Sequence, residues 1–270
     1  MARDDSVSFT SARELVRELR ALGDVPVPAS LVAATLVRVG LADGCWTLTT
    51  PLGPVYIAYS EAGISAVMSA ASPEAFAETY HAQFGRQVHM VNEPPVALAH
   101  AVERQLRGEG GQPPRFDLRG LSDFERAVLL KALEIPRGEV RPYAWVAREI
   151  GRPKAVRAVG TALARNPIPL LIPCHRVVRS DGRLGQYSLI GPEAKRTVLA
   201  AEGVAIDVLE AHAQAGVRFY GSDTTHIYCY PTCHHARRIN DTHRVLFASQ
   251  AEAAAAGYRP CHVCRPAQAS

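Results

Sequence analysis

Cys174 stands between a proline and a histidine in the run Pro173-Cys174-His175-Arg176-Val177. A thiol attacks as its thiolate, and an adjacent imidazole is the kind of base that generates one. Proline restricts the backbone just ahead of the sulfur, and the apolar run Leu170-Leu171-Ile172 reads as a buried strand that holds it rigidly. A lone cysteine is more often packing than chemistry, so its surroundings decide. A second constellation lies near the end of the chain. Cys229, Cys233, Cys261 and Cys264 are spaced C-x3-C, then 27 residues, then C-x2-C. Four cysteines in two close pairs are the donor set of a tetrahedral zinc site. A module this small has little core of its own, so one bound zinc would supply much of its folding free energy. His234 and His235 offer nitrogen donors nearby, but a four-cysteine site needs none. The sixth cysteine, Cys45, sits beside Trp46 in a strand-like stretch and reads as core.

The composition supports metal or catalytic thiols over disulfides. The chain has 270 residues, 47% hydrophobic and 21% charged, which suits a globular protein of two or three domains. Met1-Ala2-Arg3-Asp4-Asp5 lacks an apolar signal-peptide core, and no apolar run reaches the length of a membrane span. The expectation is a cytoplasmic protein, with no membrane partner and with reduced thiols. Charge is unevenly spread. Residues 1–120 carry 10 basic and 13 acidic side chains, whereas residues 121–203 carry 14 and 8. Arg141, Arg148, Arg152, Lys154, Arg157 and Arg165 face only Glu149 in the stretch 141–165. Beside a candidate nucleophile, that bias reads as a surface for a polyanion.

The elements that must position these residues follow from pattern. Helix-like segments cover Ser11–Leu22 and Ala29–Val39. Strands are expected at Cys45–Thr49, Val55–Tyr59 and Ile64–Met68, then helices at Pro73–Phe84 and Val96–Arg107. Ser122 with Glu125 forms the signature of a capped helix running to about Glu134. Tyr143–Ile150 and Lys154–Arg165, joined through Gly151-Arg152-Pro153, have the outline of a helix-turn-helix. A helix from Pro192 to Glu202 follows, and 204–219 reads as a connector. The class is α+β.

With these residues in view, residues 45–203 resemble the O6-alkylguanine-DNA alkyltransferases (methylated-DNA–protein-cysteine methyltransferases). The resemblance is densest from Phe124 to Gly203. It runs through Gly138-Glu139-Val140, Tyr143, Arg157-Ala158-Val159-Gly160, Asn166-Pro167, the Cys174 motif, Tyr187 and Glu202-Gly203. Residues 45–120 fit that family's ribonuclease-H-like N-terminal domain by pattern alone. The resemblance implies that Cys174 takes an alkyl group from guanine O6, or by the same chemistry thymine O4, in a single irreversible turnover. His175 would act as base through a water, Glu202 would orient it, and Asn166 would stabilise the active-site turn. Tyr143 would hydrogen-bond the flipped base, in a pocket completed by Tyr187 and Ser188. Duplex DNA would be held through the minor groove by Lys154, Arg157, Ala158, Gly160, Arg165 and Arg176, with Arg157 filling the stack. The partner implied is alkylated double-stranded DNA, bound by a monomer. Where the family has two adjacent glycines and then a lysine after the lid tyrosine, this chain has Leu189-Ile190-Gly191 after Ser188, with Lys195 one position late. The lid is therefore expected to be bulkier. Leu129 stands where bacterial members often have tryptophan.

Residues 216–266 resemble the Ada-type zinc-binding domain through Tyr228-Cys229, Pro231-Thr232-Cys233 and Ala256-Gly257-Tyr258-Arg259-Pro260-Cys261 followed by Cys264. This implies zinc on Cys229, Cys233, Cys261 and Cys264, no organic cofactor, and Cys229 as a second methyl acceptor, from DNA phosphotriesters. Tyr230 replaces an arginine of that domain, and His234-His235-Ala236-Arg237-Arg238 replaces its basic run. The implied division is a helical extension (1–40), a ribonuclease-H-like domain (41–118), a catalytic DNA-binding domain (119–205), a linker (206–215) and the zinc domain (216–270). Two other classes compete: a lesion-binding protein without transfer, against which Cys174 argues, and a Cys-His hydrolase, for which no oxyanion site is evident.

Overall fold

The computed structural model describes residues 16, 17, 20, 23, 28–185, 187 and 192–266. Most of the expected helix Ser11–Leu22, and Ser188 with Leu189-Ile190-Gly191, fall outside them. Helix α1 (Ala29–Arg38) leads into strands β1 (Asp43–Thr50), β2 (Gly53–Ser60) and β3 (Gly63–Met68), then α2 (Pro73–Phe84), β4 (Val88–Met90) and α3 (Val96–Arg107). The sheet order is β3-β2-β1-β4, antiparallel except for the parallel β1–β4 pair. Successive strand residues point to opposite faces. Trp46, Val55, Ile57, Ile64 and Val67 therefore join the main core, while Cys45, Tyr56, Ala58 and Ala66 meet Phe76 and Tyr80 of α2. Cys45 packs with its sulfur 3.3 Å from that of Met90, as its setting in the strand predicts.

The centre of the chain is helical. Helix α4 (Asp123–Leu133) starts with a full capping box, Ser122 and Glu125 each bonding the other's backbone N–H. Then come the short β5 (Arg141–Pro142), α5 (Tyr143–Glu149) and α6 (Val156–Ala164), with α4, α5 and α6 packed on one another. The expected strand at Leu170–Ile172 is absent. Residues 166–173 are buried but fold as turns, and Leu170 takes a left-handed φ of 71°. Pro167, Pro169 and Pro173 explain this: each lacks the N–H that a strand ladder needs. The loop is held from β3 and α3 instead. Its Pro167 carbonyl accepts from Val67 N at 2.9 Å, and the Leu171 carbonyl accepts from Gln105 Nε2 at 3.2 Å.

Cys174–Arg176 form a 3-10 turn running into β6 (Val177–Val178), which pairs in parallel with β5. Helix α7 (Pro192–Ala201) follows. The expected connector is itself mostly helix, α8 (Ile206–Ala215), because Ile206 and Leu209 find apolar partners in Val140, Val178 and Leu199. The last region has strands β7 (Phe219–Ser222), β8 (Ile227–Cys229), β9 (Arg244–Phe247) and β10 (Arg259–Pro260), in the order β10-β8-β7-β9, with α9 (Gln250–Ala255). One hydrophobic core runs from Trp46 through Val128 and Val159 to Tyr228 and Cys264. The fold is α+β, as the pattern of elements predicts.

Candidate active site and metal centre

The proline-bounded turns deliver Cys174 to the first position of a 3-10 turn, with only 5% of its surface exposed. Asn166 braces that approach from inside. Its Nδ2 donates to the Ile172 carbonyl at 2.9 Å, and its Oδ1 accepts from Ile168 N at 3.0 Å. One side chain thus satisfies two buried backbone groups that the prolines leave without ladder partners.

His175 is fully buried and its Nε2 donates to Glu202 Oε1 at 3.0 Å. Glu202 follows the C-terminal end of α7 and also accepts from Arg176, Nε at 2.9 Å and Nη2 at 2.7 Å, a fork-on-carboxylate pair. Burial alone would raise the Glu202 carboxyl, but the hydrogen bonds from His175 and Arg176 and their charge bring it down to about 2. Burial lowers the His175 imidazole below its ordinary value, with Glu202 partly offsetting the effect. The ring is therefore neutral near pH 7 and able to accept a proton. Its Nδ1 is buried with no protein hydrogen-bond partner among the described residues.

Arg176, expected on the DNA surface, does not lie there. It is 7% exposed, and its remaining Nη1 donates to the Ile135 carbonyl at 2.7 Å. An arginine with both ends of its fork committed inside the core positions Glu202; it has nothing left for a phosphate.

Tyr143 begins α5 and borders the thiol. Its phenol is raised by burial and then by the negative field of Cys174. Tyr187 stands edge-on to His175, ring centroids 6.0 Å apart, and its buried hydroxyl is raised by burial, by Cys174 and by Glu202. Ser188, expected in the same pocket, lies outside the described residues. Sequence reasoning noted Lys195 only for its shifted position, yet it is a member of the site. It is fully buried, its Nζ donates to the Val177 carbonyl at 2.5 Å, and it stands over the Tyr143 ring at 5.9 Å. Burial lowers the ammonium to about 8, against the attraction of Cys174. The signal was available: Ala194, Val198 and Leu199 mark the inward face of α7, and a lysine within that face needs a reason.

Helix α6 buries Val159, Ala162 and Leu163, and turns Arg157 and Ala158 outward, with Gly160 half-buried beside Tyr143. Lys154 and Arg165 are exposed at its two ends. The result is a cationic, small-residue face that meets Tyr143, the phenol beside the thiol.

In the last region Cys229 ends β8, Cys233 precedes a 3-10 turn, Cys261 follows β10, and Cys264 lies in the turn beyond. The four sulfurs lie within 4.8 Å of one another and all four residues are buried. Zinc–sulfur bonds of about 2.3 Å in a tetrahedron put the sulfurs roughly 3.8 Å apart, so the set fits zinc. His234 stands beside that four-sulfur set, grouped with Glu139 and Cys233, its Nδ1 3.9 Å from Glu139 Oε1.

A family model described as the DNA-binding domain of 6-O-methylguanine DNA methyltransferase matches residues 123–204, and the metal-binding domain of Ada matches residues 208–267. The methylated-DNA–protein-cysteine methyltransferase of Rattus norvegicus is 51% identical over 82 residues, 30% of this chain and 39% of that protein. The match thus spans well under half of the mammalian relative. The enzyme of the same name from Methanosarcina barkeri is 34% identical over 164 residues, covering 57% of this chain and 94% of that protein. A solved structure of Mycobacterium tuberculosis OGT in complex with DNA aligns at 28% identity over 62% of this chain and 99% of that one, with a TM-score of 0.48. The near-complete coverage of the archaeal relative settles the assignment: this chain belongs to the methylated-DNA–protein-cysteine methyltransferase family and carries an Ada-type zinc-binding domain.

Proposed function

We propose that this protein repairs DNA by moving an alkyl group from O6 of guanine, or O4 of thymine, onto Cys174, once per molecule. The observation that carries the reading is the buried run Cys174–His175–Glu202–Arg176 with Tyr143 and Lys195 beside the thiol. His175 Nδ1 takes the thiol proton through a water, a buried ring nitrogen requiring such a partner. The thiolate attacks the alkyl carbon, so that a C–S bond forms as the C–O bond breaks. The electron pair goes to the guanine ring, which the Tyr143 phenol hydrogen-bonds and the Lys195 ammonium faces. The thioether formed is stable, so the protein is spent.

A base within a duplex cannot reach a thiol that is 5% exposed, so it is extruded, at a cost of a few kcal/mol. Residues 41–118 are a ribonuclease-H-like domain, 119–205 a helix-turn-helix catalytic domain, and 216–270 the zinc domain, acting as a monomer. Helix α6 enters the minor groove, where Ala158 and Gly160 allow close approach and Arg157 fills the vacated stack, with Lys154 and Arg165 on phosphates.

The zinc domain holds its metal on Cys229, Cys233, Cys261 and Cys264. Zinc there keeps the thiolates together and supplies folding free energy. Cys229 stands among three further sulfurs rather than beside an imidazole and a carboxylate, which favours a holding role over methyl acceptance from a phosphotriester.

Intact mass after incubation with a duplex carrying O6-methylguanine tests the whole reading. The expected outcome is a gain of one methyl that Cys174→Ser abolishes; tight binding with no mass gain would leave a damage sensor. A duplex methylated on one backbone phosphate tests the tail, and a methyl on Cys229 would overturn its purely holding role.

A further inference from the structure

The zinc module grips the same segments that build the Cys174 pocket. Two of its loops do so. In the first, between Cys229 and Cys233, Thr232 Oγ1 accepts from Val140 N at 3.0 Å and stands 3.4 Å from the Val140 carbonyl. Beside it, His234 N donates to Glu139 Oε1 at 3.0 Å. Glu139 is itself buried and ion-paired with Arg141, whose guanidinium lies over the rings of Tyr230 and Trp145 at 5.5 and 5.9 Å. In the second loop, the turn through Cys264 presents consecutive carbonyls to α5. Cys264 O accepts from Trp145 Nε1 at 3.0 Å, Arg265 O from Arg148, and Pro266 O from Arg148 Nη1 at 3.1 Å. The Arg265 side chain closes back on Glu149 at 2.8 Å.

Both gripped segments lead to the nucleophile. Val140 opens onto β5, whose Arg141 and Pro142 pair with Val177 and Val178, the residues that leave the Cys174–Arg176 turn. Helix α5 starts at Tyr143, the phenol that borders the thiol. The grip is contributed by residues next to metal ligands: Thr232 and His234 flank Cys233, and the accepting carbonyls begin at Cys264. A loop that carries two zinc ligands has its carbonyls aimed only while the metal is held.

We propose that the zinc module is a buttress of the alkyl-transfer site, with Thr232, Trp145 and Glu139 as positioning residues through which metal occupancy sets the Cys174 pocket; this rests on the transfer reading above. Zinc then serves the Cys174 reaction at a distance, without touching substrate.

The test uses the full chain, zinc-loaded, stripped with a chelator, and refilled. Hydrogen exchange at residues 139–149 and 172–178 should quicken by about tenfold on stripping and recover on refilling, while residues 53–68 stay constant. Methyl gain at Cys174 should slow in parallel. Thr232→Val keeps all four thiols and removes only the hydroxyl. It should retain zinc, quicken exchange at 139–142 by about fivefold, the worth of one hydrogen bond, and slow transfer, with Thr232→Ser restoring both. Stripping that loosens only 216–266, or Thr232→Val with unaltered exchange and rate, would overturn the buttress. Absence of methyl gain in the zinc-loaded wild type would instead strike the transfer reading, while the exchange data still judge the buttress.

Discussion

Cys174 and Cys229 are both almost wholly buried, at 5% and 2% exposure, and neither is in a disulfide. Burial alone disfavours a thiolate, as Cys45 illustrates: desolvation pushes its thiol up to about 12. What separates the two centres is what shares the burial. Around Cys174 stand an imidazole held by a carboxylate, a buried ammonium and a phenol, groups that can take a proton and steady a leaving base. Around Cys229 stand three further sulfurs within 4.8 Å, a set whose charge only a cation can balance. Reactivity and ligation are thus properties of the neighbours, and a buried cysteine has no character of its own.

The sharpest way to break this contrast is to exchange serine into each centre. Cys174→Ser should abolish methyl gain by intact mass while leaving one zinc per chain by metal analysis. Cys233→Ser should do the reverse to the metal, releasing zinc and exposing 216–266 to proteolysis, since structural zinc carries on the order of 10 kcal/mol of folding free energy. Loss of zinc in Cys174→Ser would show that the centres are not separable in that direction.

Next in size is Glu202→Gln, which leaves Arg176 buried without its counter-charge. Destabilisation of about 3–5 kcal/mol in urea is expected, together with a methyl-transfer rate lowered by about 100-fold as His175 loses its orienting acid. The same carboxylate makes a pH signature. Its folded value of about 2 lies below the ordinary 4.5, so its stabilisation is complete above pH 4.5 and is lost as pH falls through 2. Acid titration of wild type and Glu202→Gln should differ across that window and run parallel elsewhere.

Lys195 offers a smaller, pH-resolved effect. Its folded value of about 8, below the ordinary 10.5, means that the folded chain sheds this proton first, so stability should rise as pH climbs from 8 to 10.5. Transfer should fall over the same rise, because the cation facing the departing base is lost; Lys195→Met should flatten that fall. An unchanged profile would remove Lys195 from the chemistry. Smallest is Arg157→Ala, expected to slow repair in duplex by several-fold while sparing reaction with a free O6-alkylguanine base. Equal losses on both would sink the base-extrusion role.

Much of this was legible in the sequence because the signals are local. Ser122 and Glu125 announce the cap of α4, short β-prone runs broken by turn residues announce β1 to β3, and the C-x3-C and C-x2-C pairs announce the metal site. The errors share a cause. Leu170-Leu171-Ile172 was expected as a strand on hydrophobicity, whereas three prolines forbid a ladder. Arg176 was expected on DNA because the family resemblance implied it, but its partner Glu202, 26 residues away, holds it inside. Lys195 was noted only for its shift of one position; the inward face of α7 signalled its burial, but its bond to the Val177 carbonyl belongs to the way α7 meets the Cys174 turn.

The sequence by itself determined which atoms can react: a thiol next to an imidazole, and four thiols paired at ligand spacing. Those are facts of covalent order, and any fold that brought the motifs together would inherit them. Only the tertiary structure decided which charges enter the core with Cys174, that Arg176 braces a carboxylate, and that the Thr232 and Cys264 loops close on β5 and α5. Such choices rest on contacts between residues remote in the chain. Their free energy comes from burial shared between segments, which no local pattern records.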